Sequence, residues 1–489
     1  MWIIVGGGTA GLALSTRLSQ GLPKSRVLVI EAGPAALNEL NINIPGKKSS
    51  TFGSRYDWNF TTIPQEPLNS RVIPQIRGKV LGGSLALNLM TYDRASAHEY
   101  NGWEEIGNSG WDWVKFSAMM KRSLDFTSAN TEWYGDADIS TKGPSQIRSG
   151  LIVSYQTRSI DPEHYNRSYS ANAYLPLAGA NHVVMADTRV VNINFNNTEQ
   201  RYTASGVTLA DGTIIFARKE VNISAGSYQS PGLLEASGVG SKSVLEGAGI
   251  LQLIDLPGVG ENLQDHIRIQ SSYQLKDNYL SFDILRHNAT YAEEQLRLWI
   301  DGNHSIDEYT GVKGYSAAGT SLYGKGFFSL LAVVMHPLSR GSVHTNVTDP
   351  LGTPIINPNY LSNEHDIQAI IAAIKKCRQI ALTPILSEVW VSEYEPGLET
   401  VNTDAEWREF ALNTTLSIYH PAGTCSMLPR KEGGVVDRKL KVYGTTNLRI
   451  VDASIIPILI SAHMQTAVYG IAEMAAEIII QEAKKPSQE

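Results

Sequence analysis

The chain opens at Met1-Trp2 and runs at once into the apolar stretch Ile3-Ile4-Val5, with no polar alternation. A short unbroken run of this kind is the pattern of a strand buried on both faces of a sheet. Gly6-Gly7-Gly8-Thr9-Ala10-Gly11 follows directly, and Leu12 to Leu18 then carries helical apolar spacing. The next run, Val27-Leu28-Val29-Ile30, again reads as a buried strand and ends in Glu31. The predicted order is strand, glycine turn, helix, strand, acid. Farther on, Val221 to Gly226 reads as a strand ending in small residues. Ser230-Pro231-Gly232-Leu233-Leu234 then opens a helix with proline in its first turn, ending near Gly238. Leu448-Arg449-Ile450-Val451 reads as a strand ending in Asp452. A helical pattern runs from about His463 to Ile480 through Val468, Ile471, Ala472, Ala475, Ala476 and Ile479.

The first of these segments carries chemistry. Gly6-x-Gly8-x-x-Gly11 lies between a strand and a helix, which is the context a dinucleotide fingerprint needs. The first glycine permits the tight turn, the second lets a pyrophosphate approach the backbone, and the third lets helix and strand pack closely. The helix N-terminus offers N–H groups and partial positive charge to phosphates. Glu31 stands 20 residues beyond Gly11 (31 − 11), where a carboxylate can accept ribose hydroxyls. The pattern does not separate NAD from FAD, because both carry the ADP half.

A second glycine cluster, Arg77-Gly78-Lys79-Val80-Leu81-Gly82-Gly83-Ser84, leads into an apolar stretch from Leu85 to Tyr92 that is predicted helical. Gly258 to His266 reads as a polar loop punctuated by glycine. Tyr419-His420-Pro421-Ala422-Gly423-Thr424 places a histidine before proline, which pushes that residue out of helix, so His420 is expected on a loop.

Composition narrows the classes. The 489 residues are 42% hydrophobic and 18% charged, enough apolar surface for a large core and unlike a disordered chain. A net charge of −7 with no Lys/Arg run argues against nucleic acid. No apolar run reaches the length of a membrane span. A strand that begins on the first residues suggests a trimmed N-terminus. Asn-x-Ser/Thr sequons at Asn59, Asn166, Asn196, Asn222, Asn288, Asn303, Asn346 and Asn413 lean towards a secreted glycoprotein. Cys377 and Cys425 are too few for a disulfide framework or a metal site and are expected as two buried thiols. Ser487-Gln488-Glu489 is expected to fray. There is no zinc motif, Walker loop or Gly-x-Ser-x-Gly elbow, and no metal is expected.

Taken in order, Gly6 to Gly11, Gly78 to Ser84, Ser224-Ala225-Gly226 with Ser230-Pro231, Tyr419 to Thr424, Val451-Asp452 and His463 resemble the glucose–methanol–choline (GMC) oxidoreductases. The likeness spans nearly the whole chain and is to members of the aryl-alcohol oxidase and dehydrogenase type. Ser339-Arg340-Gly341 and Asn357 to Leu361 resemble the family's substrate-domain segments. The resemblance implies an α/β fold (α+β overall). Its parts are a discontinuous Rossmann-like FAD domain, residues 1–265 and 425–489, and a substrate domain, residues 266–424, on a mostly antiparallel sheet with helices. It implies FAD rather than NAD. Gly6, Gly8, Thr9, Ala10 and Gly11 would hold the pyrophosphate, and Glu31 with Ala32 would face the adenosine ribose. Gly82, Ser84, Asn88, Leu89, Met90 and Thr91 would lie along the flavin side, Val190 by the adenine, and Asp452 and Ala453 by the ribityl chain. Leu87 stands where some members tether FAD through histidine, so a non-covalent flavin is expected.

The implied reaction takes hydride from an alcohol, and histidine suits the base that must remove the hydroxyl proton near neutral pH. His420 is read as that base and His463, near a helix N-terminus that resists protonation, as the group holding the alcohol oxygen. The apolar stretch Leu416 to Tyr419, with Tyr92 and Tyr419 as pocket walls, favours an aromatic or modestly apolar primary alcohol, with O₂ or a quinone as electron acceptor. Sugar oxidation, and a hydroxynitrile lyase on the same fold, are the competing readings.

Overall fold

The computed structural model describes residues 1–124, 158–161, 163–198, 201–279, 281–302, 305, 324–350 and 352–485. The sequon at Asn303 and the C-terminal Ser487-Gln488-Glu489 lie outside them. In chain order, the elements that position the site begin with β1 (Trp2–Val5), α1 (Thr9–Gly21), β2 (Val27–Ile30) and β3 (His182–Met185). Next come β4 (Val221–Ile223), α2 (Gln229–Ala236), β5 (Ile267–Leu275) and β6 (Phe327–Val334). The series ends with α3 (Glu364–Ala381), β7 (Trp390–Glu395), β8 (Leu416–Ser417), β9 (Leu448–Ile450) and α4 (Gln465–Lys484).

The N-terminal apolar runs form one parallel sheet in the order β9-β4-β1-β2-β3. All four residues of β1 and of β2 are buried, as expected for central strands covered on both faces. The edge neighbour of β4 is β9, more than two hundred residues later in the chain, so the C-terminal segment completes the N-terminal sheet. Helix α1 packs on α4, joined by an ion pair of 2.8 Å between Arg17 and the buried Glu473.

A second sheet is antiparallel. β5 lies between β6 and β7, and β8 pairs with the start of β5, Ile267 opposite Ser417. Helix α3 covers this sheet and buries Ile367, Ile370, Ile371 and Ile374 against Ile267, Ile269 and Val334. The two sheets give the mixed architecture expected from the sequence.

Three local expectations change or gain detail. The stretch after the second glycine cluster is one 3-10 turn, Gly83–Ala86, and not a longer helix. The reason is the buried Arg167, whose guanidinium takes the Leu85 and Asn88 carbonyls at 3.0 and 2.8 Å, acceptors that helical hydrogen bonds would otherwise use. Asn222 is fully buried inside β4, so its sequon is inaccessible in the folded chain. Cys377 and Cys425 are both free and buried, as expected. Among the described residues no helix is long and apolar enough to cross a membrane, and no cluster of His, Cys, Asp and Glu is arranged to hold a metal.

Candidate active site

The glycine turn between β1 and α1 is a cradle that larger residues would fill. Gly6 has φ +101°, and a Cβ there would lie 2.4 Å from the Ser224 carbonyl oxygen. A Cβ on Gly11 would lie 1.9 Å from the Gly6 carbonyl oxygen, so this glycine serves helix–strand packing. Gly8 is the N-cap of α1 and provides no side-chain cap, which leaves the first N–H groups of the helix for an anion. The second glycine cluster meets the first here: a Cβ on Gly83 would stand 2.7 Å from the Gly8 Cα. Glu31 is buried and accepts the Gly7 and Gly33 N–H groups at 2.7 and 2.8 Å. Burial pushes its carboxyl up to about 7 against those hydrogen bonds. The acid expected to reach the ribose thus also braces the glycine turn.

A cavity of about 420 Å³ runs from this cradle to the two histidines. Its walls include Gly6, Gly8, Thr9, Ala10, Glu31, Ala32, Ser84, Asn88, Leu89, Thr91, Val190, Tyr419, His420, Asp452, Ala453 and His463. Ser224 contributes a buried hydroxyl with no partner among the described residues. Asp452 lies where β9 ends and ties three segments together, accepting from Gly226 N–H, Ser230 Oγ–H and the Ser454 N–H and hydroxyl. Glycine walls, unspent helix N–H groups and an unpartnered hydroxyl fit a dinucleotide with its pyrophosphate at the N-terminus of α1.

Four of the residues expected at the site do not line this cavity. Gly11 packs α1 on its strand. Gly82, at φ +96°, packs against the Tyr169 ring. Met90 is buried at φ +62°, where its backbone carbonyl accepts Ser159 N–H. Tyr92 is not a pocket wall: its hydroxyl lies 3.4 Å from Ser123 Oγ. Aromatic rings in the cavity lining come from Phe52, Trp58, Phe60, Tyr228 and Tyr419, and Phe52 meets the Tyr419 ring edge-on at 6.2 Å.

The two histidines meet at the far end, with ring centroids 5.1 Å apart at 82°. His420 follows β8 on a loop, as expected, after Tyr419 in the left-handed region at φ +66°. Its backbone N–H donates to Asp265 Oδ1 at 2.7 Å, while Tyr360 and Ser417 hydroxyls both donate to Asp265 Oδ2 at 2.5 Å. The Arg77 guanidinium donates to the Tyr419 carbonyl. Burial, helped by His266, His463 and Arg77, holds the His420 ring well below the usual histidine range. His463 lies just before α4. Asp93 accepts both its backbone N–H and its Nδ1–H at 2.7 Å.

Sequence reasoning missed Asp93, Asp265, Arg77 and Phe52, and it passed over His266 as part of a polar loop. These residues act through contacts closed by the fold. The pairing of β8 with β5 brings His266, at the start of one strand, beside His420, just past the end of the other.

A GMC oxidoreductase N-terminal family model matches residues 1–268 and a GMC oxidoreductase C-terminal model matches 337–472. Among solved structures, the chain is similar to an FAD-dependent oxidoreductase from Chaetomium thermophilum (TM-score 0.86, 26% identity, covering 99% of this chain and 100% of that one). It is similar to a fungal aryl-alcohol oxidase (TM-score 0.82, 26% identity, 99% of each chain). It is also similar to a formate oxidase (TM-score 0.88, 25% identity, 99% of this chain and 98% of that one). The FAD-dependent neighbour supports FAD as the dinucleotide that the cradle fits. The two family models fall on the glycine cradle and on the segment carrying His420 and His463, and together they take in most of the sequence: the chain belongs to the GMC oxidoreductase family.

Proposed function

We propose that this protein oxidises a primary alcohol to its aldehyde (or a lactol to its lactone), with His420 as the base and FAD as the hydride acceptor. The observation that carries the reading is the pair of imidazoles, His420 and His463, edge to face at the end of a cavity that begins at a phosphate-type glycine cradle. In this reading Gly6, Gly8, Thr9 and Ala10 hold the pyrophosphate, Glu31 and Ala32 the ribose, and Val190 the adenine. Ser84, Asn88, Leu89, Thr91, Asp452 and Ala453 line the flavin half. Leu87 at the cavity wall leaves no histidine for a tether, so the flavin is non-covalent. Residues 1–265 with 425–489 form the cofactor domain and 266–424 the substrate domain.

Bound there, FAD supplies a two-electron acceptor for the hydride. The protein supplies position and proton handling. His463, held by Asp93 at Nδ1, presents Nε2 to the alcohol oxygen. His420, kept neutral by its buried surroundings, receives the hydroxyl proton as the C–H bond breaks. Tyr419, the residue before the base, and Phe52, whose ring meets it, both line the cavity and support an aromatic or modestly apolar alcohol. Electrons then pass to O₂ or a quinone. Secretion as a glycoprotein belongs to the same proposal and is supported by the exposed asparagines of four sequons, Asn59, Asn196, Asn288 and Asn413.

The formate oxidase neighbour supports a second reading, oxidation of a much smaller substrate. One panel tests both. The holoenzyme is mixed without air with benzyl-type alcohols, glucose, formate and mandelonitrile, and flavin absorbance near about 450 nm is followed. Bleaching by aryl alcohols supports the proposal. Bleaching only by formate or by sugar replaces the substrate class. Cyanide release from mandelonitrile without bleaching by any alcohol makes the protein a lyase.

A further inference from the structure

A third imidazole stands behind the pair. His266 is fully buried, and its Nδ1 lies 2.8 Å from Nδ1 of His420, the rings meeting at 78° with centroids 5.1 Å apart. A hydrogen bond between two like nitrogens needs one donor and one acceptor. Burial holds His266 at about 3, so the ring is neutral and carries a single N–H.

Two arrangements are open. If His266 donates from Nδ1, its Nε2 is a bare lone pair. That nitrogen is buried with no hydrogen-bond partner among the described residues, and the polar groups acting on the ring are the Met335 and Ile460 carbonyls, so lone pairs would meet lone pairs. If His420 donates, His266 carries its proton on Nε2 towards those carbonyls. His420 then has its own proton on Nδ1 and a bare Nε2. The second arrangement turns an N–H, and not a lone pair, towards the carbonyls and is the more favourable one.

We propose that His266 is a positioning residue that fixes His420 as the Nδ1–H tautomer, so that Nε2 is the atom receiving the alcohol proton. This deepens the proposed function and rests on His420 being the base. In the step, the O–H bond breaks as Nε2–H forms, the C–H electron pair leaves as hydride to FAD, and the C=O bond closes. The Nδ1–H stays on His420, and its hydrogen bond to His266 becomes charge-assisted as the imidazolium forms. Asp265, the preceding residue, takes the backbone N–H of His420. Two adjacent residues thus hold the main chain and the ring of the same histidine.

Two measurements test this on the holoenzyme. Long-range ¹H–¹⁵N correlation spectra of ¹⁵N-histidine protein, with His420 assigned by the His420→Gln variant, should show a protonated Nδ1 and a bare Nε2. A proton on Nε2 of the resting His420 overturns the proposal, whatever the substrate proves to be. Separately, His266→Leu, which removes the acceptor, should slow anaerobic flavin reduction by an aryl alcohol about 10- to 100-fold with FAD retained. His266→Asn, which keeps an acceptor oxygen near the Nδ1 position, should recover most of that rate. Equal rates in the two variants overturn the positioning role. If His266→Leu does not fold, the spectra decide alone. If no alcohol reduces the wild-type flavin, the proposed function fails while the tautomer is still read.

Discussion

The Asp93 carboxylate holds His463 at two points, one oxygen on the backbone N–H and the other on Nδ1, each at 2.7 Å. This fixes both the place and the orientation of an imidazole that precedes α4. Asp93→Asn keeps the size and loses the charge. It should lower the rate of flavin reduction at least about tenfold, because the carboxylate no longer fixes the tautomer and orientation of the ring, while FAD stays bound. Anaerobic stopped-flow reduction checks this, and a rate within twofold of wild type would show that the carboxylate is dispensable.

The meeting of the two glycine clusters predicts a cofactor defect. Gly83→Ala places a methyl 2.7 Å from the Gly8 Cα at φ +59°, so the cradle has to open. The variant should purify with little flavin, read from the ratio of absorbance near about 450 nm to that at about 280 nm. Gly212→Ala, in an exposed turn at φ +85° with nothing near its Cβ, is the control. It should lose only about 1 kcal/mol of stability and keep its FAD.

Stability should depend on pH through His344. Its ring is bonded to Glu235 at 2.7 Å and to Glu261 at 3.2 Å. Burial opposes its charge, but the two carboxylates outweigh it and raise the ring to about 9. A histidine raised in the fold contributes stability that is full below its unfolded value of about 6.5 and is lost as pH rises through about 9. His344→Gln should cost about 2 kcal/mol near pH 6, and the gap in melting temperature from wild type should narrow towards alkaline pH. A gap that stays constant across that window would contradict the ion pair.

Much of the cofactor half is legible in the sequence. Ile3 to Val5, the three glycines and Val27 to Glu31 all lie within one short segment, where local pattern and fold agree, so β1, α1 and β2 fall where expected. His420 and His463 stand out by their motifs. Their supports do not: Asp93 and Asp265 reach them across 370 and 155 residues of sequence, distances at which periodicity carries no signal. The same limit misplaces Tyr92. It sits beside Thr91 in sequence, yet it does not line the cavity and its hydroxyl lies 3.4 Å from Ser123 Oγ, whereas Phe52 reaches the cavity from a distant loop. The turn after Gly83 fails as a helix because Arg167, far along the chain, takes its carbonyls.

Substrate size should respond to Phe52. Phe52→Ala removes the ring that meets Tyr419 beside the base. It should raise KM for aryl alcohols about tenfold, the worth of one aromatic contact, and leave small aliphatic alcohols nearly unchanged. Steady-state kinetics on a matched pair of alcohols checks this, and equal losses on both would place Phe52 away from the substrate.

His420→Ala addresses the base most directly. Mixed without air with an aryl alcohol that bleaches the wild-type flavin, the FAD-loaded variant should be reduced at least about a hundredfold more slowly. Bleaching at the wild-type rate would rule out His420 as the base.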